Sequence, residues 1–136
     1  MLLLDTSAVS AVMHRRPEAL ESLRGEAPGE VILCSPVAAE IEYGLARLEA
    51  GSRRRKLLEG EYRRLRRAVQ WSDWTEEAAA EFGRQKAALE QAGTRLDDMD
   101  LIVASVALTL GARVATHNRK HFARVAGLEI ADWAAS

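Results

Sequence analysis

The chain opens on a continuous apolar run, Leu2-Leu3-Leu4, and a second of the same kind follows at Val31-Ile32-Leu33-Cys34. Short runs that are apolar throughout, rather than alternating, predict strands buried on both faces. Arg113-Val114-Ala115-Thr116 predicts another strand, Val69 to Trp71 a weaker one, and Leu128-Glu129-Ile130 a fifth at the sheet edge. Helical patterns lie between them. One starts from Ser7. A second starts where Ser35 caps and Pro36 takes the first position, at which its missing N–H costs nothing, and runs to about Ala50. After the break at Gly51-Ser52, Leu58, Tyr62, Leu65 and Val69 recur at helical spacing and predict the buried stripe of another helix. Thr75 with Glu76-Glu77 opens a long helix ending near Gly93. Asp97 or Asp98 caps the next, which is apolar almost all round, hence central, and stops at Gly111.

Strands alternating with helices predict an α/β fold, a three-layer α/β/α sandwich around a short parallel sheet of four to five strands. The whole chain, residues 1–136, is expected to form one domain. Ligands in such sheets bind at the carboxyl ends of the strands, near the point where strand order reverses. Asp5 and the segment Thr116-His117-Asn118 follow strands at that edge. Glu40 and Asp100 lie near helix starts, which the fold brings to the same edge.

Asp5, Glu40 and Asp100 each sit at the border of a segment that should be buried, where a carboxylate is costly unless compensated. No matching Lys or Arg lies nearby in sequence, so a shared divalent cation is the expected compensation. Each acid has a competing explanation. Asp5 could bond the turn at Thr6 or Ser7, and Glu42 rivals Glu40, although the helical phase favours Glu40. Capping and the helix dipole account for Asp97 and Asp98, but not for an acid inside the apolar helix at Asp100. Asn118 is a poorer ligand, able to assist through water. Ser7 and Thr116 are candidates to orient the carboxylates by hydrogen bonds, or else are an N-cap and a strand-end hydroxyl. His117 and His121, without a zinc-like ligand pattern around them, are expected to be surface or RNA-facing residues.

Charge sharpens the picture in one place only. The net charge is −1 and the isoelectric point about 6.3, so no global field draws in polyanions. Yet residues 53–67 hold eight of the nineteen Lys and Arg residues. Glu59 and Glu61 partly offset that helix, and Arg63 and Arg67 are the candidate RNA contacts, against the alternative of a solvated face. The single cysteine, Cys34, has no disulfide partner and reads as a small buried hydrophobe. The apolar start is too short for a signal-peptide core, and Leu101 to Ala112 too short to span a bilayer. A soluble cytoplasmic protein is expected.

Leu4-Asp5-Thr6-Ser7, Glu40-Ile41-Glu42-Tyr43-Gly44, Asp100-Leu101-Ile102-Val103-Ala104, Thr116-His117-Asn118 with Phe122, and the closing Asp132-Trp133 together resemble the PIN-domain ribonucleases of the VapC toxin type. The resemblance covers essentially the whole chain. It implies a metal-dependent endoribonuclease with Asp5, Glu40 and Asp100 as the acidic site and Asn118 where a fourth acid is expected. It also implies Mg²⁺ or Mn²⁺ as cofactor, RNA as substrate, homodimerisation, and inhibition by a cognate antitoxin whose tail enters the cleft. The alternative class is a catalytically weak PIN-fold module that binds RNA or protein, which the amide at Asn118 keeps open. A receiver or phosphatase domain fits less well: Asp5 lacks the second acid a phosphatase needs, and no lysine follows a late strand.

Overall fold

A computed structural model of the chain describes residues 1–133. Its sheet has the strands β1 (Leu2–Leu4), β2 (Val31–Cys34), β3 (Gln70–Ser72), β4 (Arg113–Thr116) and β5 (Ile130–Asp132). All pairings are parallel, in the order β3-β2-β1-β4-β5. The chain therefore winds outward from β1 through β2 to β3, returns to set β4 on the other side of β1, and ends at β5. β1 and β2 are buried throughout, as central strands covered on both faces require. Helices on the two faces complete the three-layer α/β/α sandwich.

The helices are α1 (Thr6–Met13), α2 (Pro17–Arg24), α3 (Ser35–Ala46), α4 (Arg53–Ala68), α5 (Glu76–Gln91), α6 (Asp98–Leu110) and the short α7 (Arg119–Phe122). Local chemistry sets most of their ends. Ser52 accepts from the Arg55 N–H at 3.1 Å and Thr75 from the Ala78 N–H at 3.0 Å, each satisfying a donor that the first helical turn leaves free. Asp97 caps α6 through Met99 and Asp100. Gly111 ends α6 at φ 65°, a left-handed conformation that glycine adopts without the Cβ clash.

Several elements differ from the sequence reading. α1 begins at Thr6 with Asp5 as its cap, because the Asp5 carboxylate reaches the Ala8 N–H. α2 is a second helix where the sequence reading gave only the one starting from Ser7; Pro17 at its first position and Glu18 in its first turn are the local signals for it. α3 ends at Ala46 rather than Ala50, the chain turning through Leu48 to Gly51 instead. Its Ser35 is the first helical residue and not the cap, leaving its hydroxyl to accept from the Trp74 N–H at 3.0 Å. β5 starts at Ile130, two residues later than the expected strand.

The core is aliphatic. Leu2, Leu3, Leu4, Val9, Leu33, Val37, Leu101, Val103, Val106, Val114 and Phe122 are fully buried. The expected stripe of α4, Leu58, Tyr62, Leu65 and Val69, is buried, leaving its arginines outward. Cys34 is buried too, and burial pushes its thiol up to about 11, so it stays protonated and inert at neutral pH. Among the described residues no helix is long and apolar enough to cross a membrane.

Candidate active site

β1 and β4 are neighbours that the chain reaches from opposite directions, so strand order reverses between them. The residues that leave their carboxyl ends, Asp5 and His117-Asn118, therefore face the crevice where parallel sheets bind ligands. Helices run back antiparallel to the strands, so the starts of α3 and α6 lie at the same edge. This placement brings Glu40 and Asp100 toward Asp5.

Asp5 is 3% exposed. Its Oδ1 accepts from the Ser7 hydroxyl at 2.7 Å and from the Ala8 N–H at 2.8 Å, and the Thr116 hydroxyl also bonds its carboxylate. Ser7 and Thr116, the two hydroxyls expected to orient the carboxylates, thus both touch Asp5. Each is locked in turn: Ser7 Oγ accepts from the His117 N–H at 3.0 Å, and Thr116 Oγ1 from the Asn118 N–H at 2.8 Å. Burial still dominates and raises the Asp5 pKa above its ordinary value despite these donors. Asp100 is likewise raised, first by desolvation and further by the charges of Asp97 and Asp5, against the lowering effect of His121.

Two acids with raised pKa values, one adding to the repulsion on the other, form a site whose charged state is unfavourable without a cation. The donor set is all oxygen, which suits a hard divalent ion such as Mg²⁺ or Mn²⁺. Such ions are commonly held by one or two carboxylates, with water and substrate phosphate filling the remaining positions. Among the described residues no three His, Cys, Asp or Glu groups close on a common point. Glu40 does not complete a cage: its Oε1 accepts a hydrogen bond from Thr6 Oγ1, the residue after Asp5. Its rival Glu42 is exposed on another face of α3.

Asn118 is exposed, precedes α7, and makes no side-chain cap. Arg63 and Arg67 are exposed on α4 and line a groove beside β3. His121 is half-exposed, as expected of a surface residue, whereas His117 is only partly so. His121 Nδ1 lies 3.2 Å from Asp100 Oδ2, so it belongs to the acidic cluster; the two residues are 21 apart in sequence, beyond the reach of any local pattern. His117 is partly covered, its Nε2 buried without a partner among the described groups. Thr6, expected only as a turn neighbour of Asp5, is the link between Glu40 and the strand end that carries Asp5.

Comparison with known proteins adds independent findings. A model of the PIN domain family matches residues 2–128. The chain is 30% identical over 131 residues to "Ribonuclease VapC2" of Haemophilus influenzae, the alignment covering 96% of each chain. It is 28% identical over 131 residues, again with 96% of each covered, to the "tRNA(fMet)-specific endonuclease VapC" of Salmonella typhimurium. Among solved structures, DNA-bound VapBC from Salmonella typhimurium superposes with a TM-score of 0.83 at 26% identity, covering 97% of each chain.

Proposed function

The chain belongs to the PIN-domain family, and on that premise we propose that it is a divalent-metal-dependent endoribonuclease, the toxin of a toxin–antitoxin pair. The observation that carries this reading is the meeting of desolvated Asp5 and Asp100 at the carboxyl edge of the sheet. Their hydrogen-bond partners are hydroxyls, a backbone N–H and an imidazole rather than a permanent cation. The names of the VapC relatives supply the reaction class, cleavage of RNA.

In this reading Asp5 and Asp100 hold Mg²⁺ or Mn²⁺, with Glu40 and Asn118 acting directly or through water. A divalent ion held there would supply a water acidic enough to attack phosphorus near neutral pH and would offset charge on the phosphate and the leaving oxygen. Ser7, Thr116 and the Ala8 N–H keep the Asp5 carboxylate fixed, and His121 does the same for Asp100. Thr6 fixes the Glu40 carboxylate, which in this reading orients the attacking water. Attack breaks the bond from phosphorus to the 3′ oxygen, which takes up a proton, leaving a 5′-phosphate and a 3′-hydroxyl. The chain acts as a single domain in the cytoplasm, where its RNA substrate is. We further propose that it pairs with a second copy and works with a cognate antitoxin that silences it, the VapBC assembly of a structural relative supporting the second partner.

Cleavage of total cellular RNA by the purified protein with Mn²⁺ or Mg²⁺ tests this. Fragments should appear with metal and vanish with EDTA and in Asp5→Asn, in which one carboxylate oxygen becomes an amide of equal size. Full cleavage by Asp5→Asn removes Asp5 from the site. Intact RNA after incubation with folded, antitoxin-free protein favours the second reading, an RNA- or protein-binding module. That reading draws on Asn118 standing where an acid is expected and on the absence of a closed three-acid cage among the described residues.

A further inference from the structure

α3 separates two surfaces. One carries Glu40; the other, formed by Ala38, Ala39 and Glu42, faces α4 and β3 across an open cavity of about 460 Å³. The far wall holds Arg63, Arg66 and Arg67 from the last turns of α4 and Trp71 from the edge strand β3. The Arg66 guanidinium sits 4.3 Å from the centre of the Trp71 ring. The indole N–H donates to Asp73 Oδ1 at 2.7 Å, so the ring is oriented at its edge while 39% of the residue remains exposed. A large aromatic kept open to solvent, held in one orientation, and partnered by a cation gains little for folding. Its geometry is that of a stacking platform.

Resting on the ribonuclease reading, we propose that this groove is a second RNA subsite, in which an unpaired base of a single-stranded segment stacks on the Trp71–Arg66 pair while Arg63 and Arg67 hold the flanking phosphates. Three arginines against Glu42 in the lining and Asp73 at the indole edge leave the groove with the sign that a polyanion requires. The two alanines keep its floor shallow enough for a flat ring. The site is also within reach of the chemistry. Ile32 of β2 pairs with both Leu3 and Gln70, so Trp71 and Asp5 lie beyond the same row, toward the same edge of the sheet. β3 is two strands from β1, roughly 10 Å across, a span that a few nucleotides bridge. Stacking needs a base out of a duplex, so the groove selects single-stranded or looped RNA over paired RNA.

Tryptophan fluorescence in EDTA, which blocks cleavage, follows binding of oligoadenylate of about 12 nucleotides, and loss of the quenching in Trp71→Ala assigns it to Trp71 rather than to the similarly exposed Trp74. The wild-type protein should show saturable quenching by the single strand and little by a duplex of the same length. Trp71→Ala and Arg66→Ala should weaken binding about 5- to 100-fold, and Trp71→Phe should retain most of it. With metal present, Trp71→Ala should raise KM far more than it lowers kcat. Unchanged affinity in both Trp71→Ala and Arg66→Ala, measured by a labelled oligonucleotide, overturns the subsite while leaving a cleaving enzyme intact. Equal binding of duplex overturns stacking. Saturable quenching by polyglutamate with none by the single strand makes the groove an acidic-peptide site instead. A Trp71→Ala change confined to the monomer–dimer midpoint makes it a self-association surface. If the wild type neither binds nor cleaves RNA, it is the ribonuclease reading that fails.

Discussion

Ser7 shows how much one side chain carries at the site. Its hydroxyl donates to Asp5 and accepts from the His117 backbone, tying the end of β1 to the loop after β4. Ser7→Ala removes a donor to a buried carboxylate and strands a backbone N–H. It is expected to cost about 1–3 kcal/mol in denaturant unfolding and to reduce cleavage per folded molecule. Unchanged stability would mean that water replaces the hydroxyl at no cost. The acids at this scale were legible because burial of the flanking runs made their charge conspicuous. His121 and Thr6 were not: their partners, Asp100 and Glu40, lie on other elements, and single residues carry no mark of distant contacts.

At the scale of elements, α4 concentrates basic charge while burying only Leu58, Tyr62 and Leu65. Its start depends on Ser52, so Ser52→Ala should lower stability by about 1 kcal/mol, seen as a lower midpoint with an unchanged denaturant slope. Its far end tests the electrostatics. Arg63→Ala with Arg67→Ala should weaken single-stranded RNA binding and flatten the slope of log affinity against log salt by about 1.4; an unchanged slope returns both arginines to a solvated role. Helix α2 carries start signals at Pro17 and Glu18 but was not read as a separate helix, because its few core contacts, Ala19 and partly Leu20 and Leu23, left only a weak apolar period. Four-residue α7 is too short for any period to register.

At the scale of the whole molecule, the two raised acids couple stability to pH and metal. Asp5 holds its proton to higher pH when folded than when unfolded, so the folded chain binds more protons in that window. The metal-free protein is thus expected to lose stability as pH rises from the ordinary aspartate value through the raised one, with Asp100 adding to the trend. Asp5→Asn removes most of that slope. At neutral pH without metal it should melt higher than the wild type; about 1 kcal/mol corresponds to roughly 4 °C in a chain of this size. Mn²⁺ should raise the wild-type melting temperature and leave Asp5→Asn nearly unmoved. Thermal melts with EDTA and with Mn²⁺ across pH check both signs, and a metal-free wild type more stable than Asp5→Asn at neutral pH would contradict the account.

The amino-acid sequence by itself determined what depends on neighbours along the chain. Continuous apolar runs specified buried strands, the 3.6-residue period specified the inward face of α4, and Ser52, Thr75, Asp97 and Gly111 specified helix ends, because caps and turns act over three or four residues. It also placed Asp5 and Asp100 at the edges of buried segments. Only the tertiary structure decided the strand order that sets β4 beside β1, the burial of Asp5 under Thr116, the contact of His121 with Asp100, the diversion of Glu40 to Thr6 and the stacking of Arg66 on Trp71. These are contacts between elements far apart in sequence, fixed by how the hydrophobic faces pack together, and no local pattern encodes them.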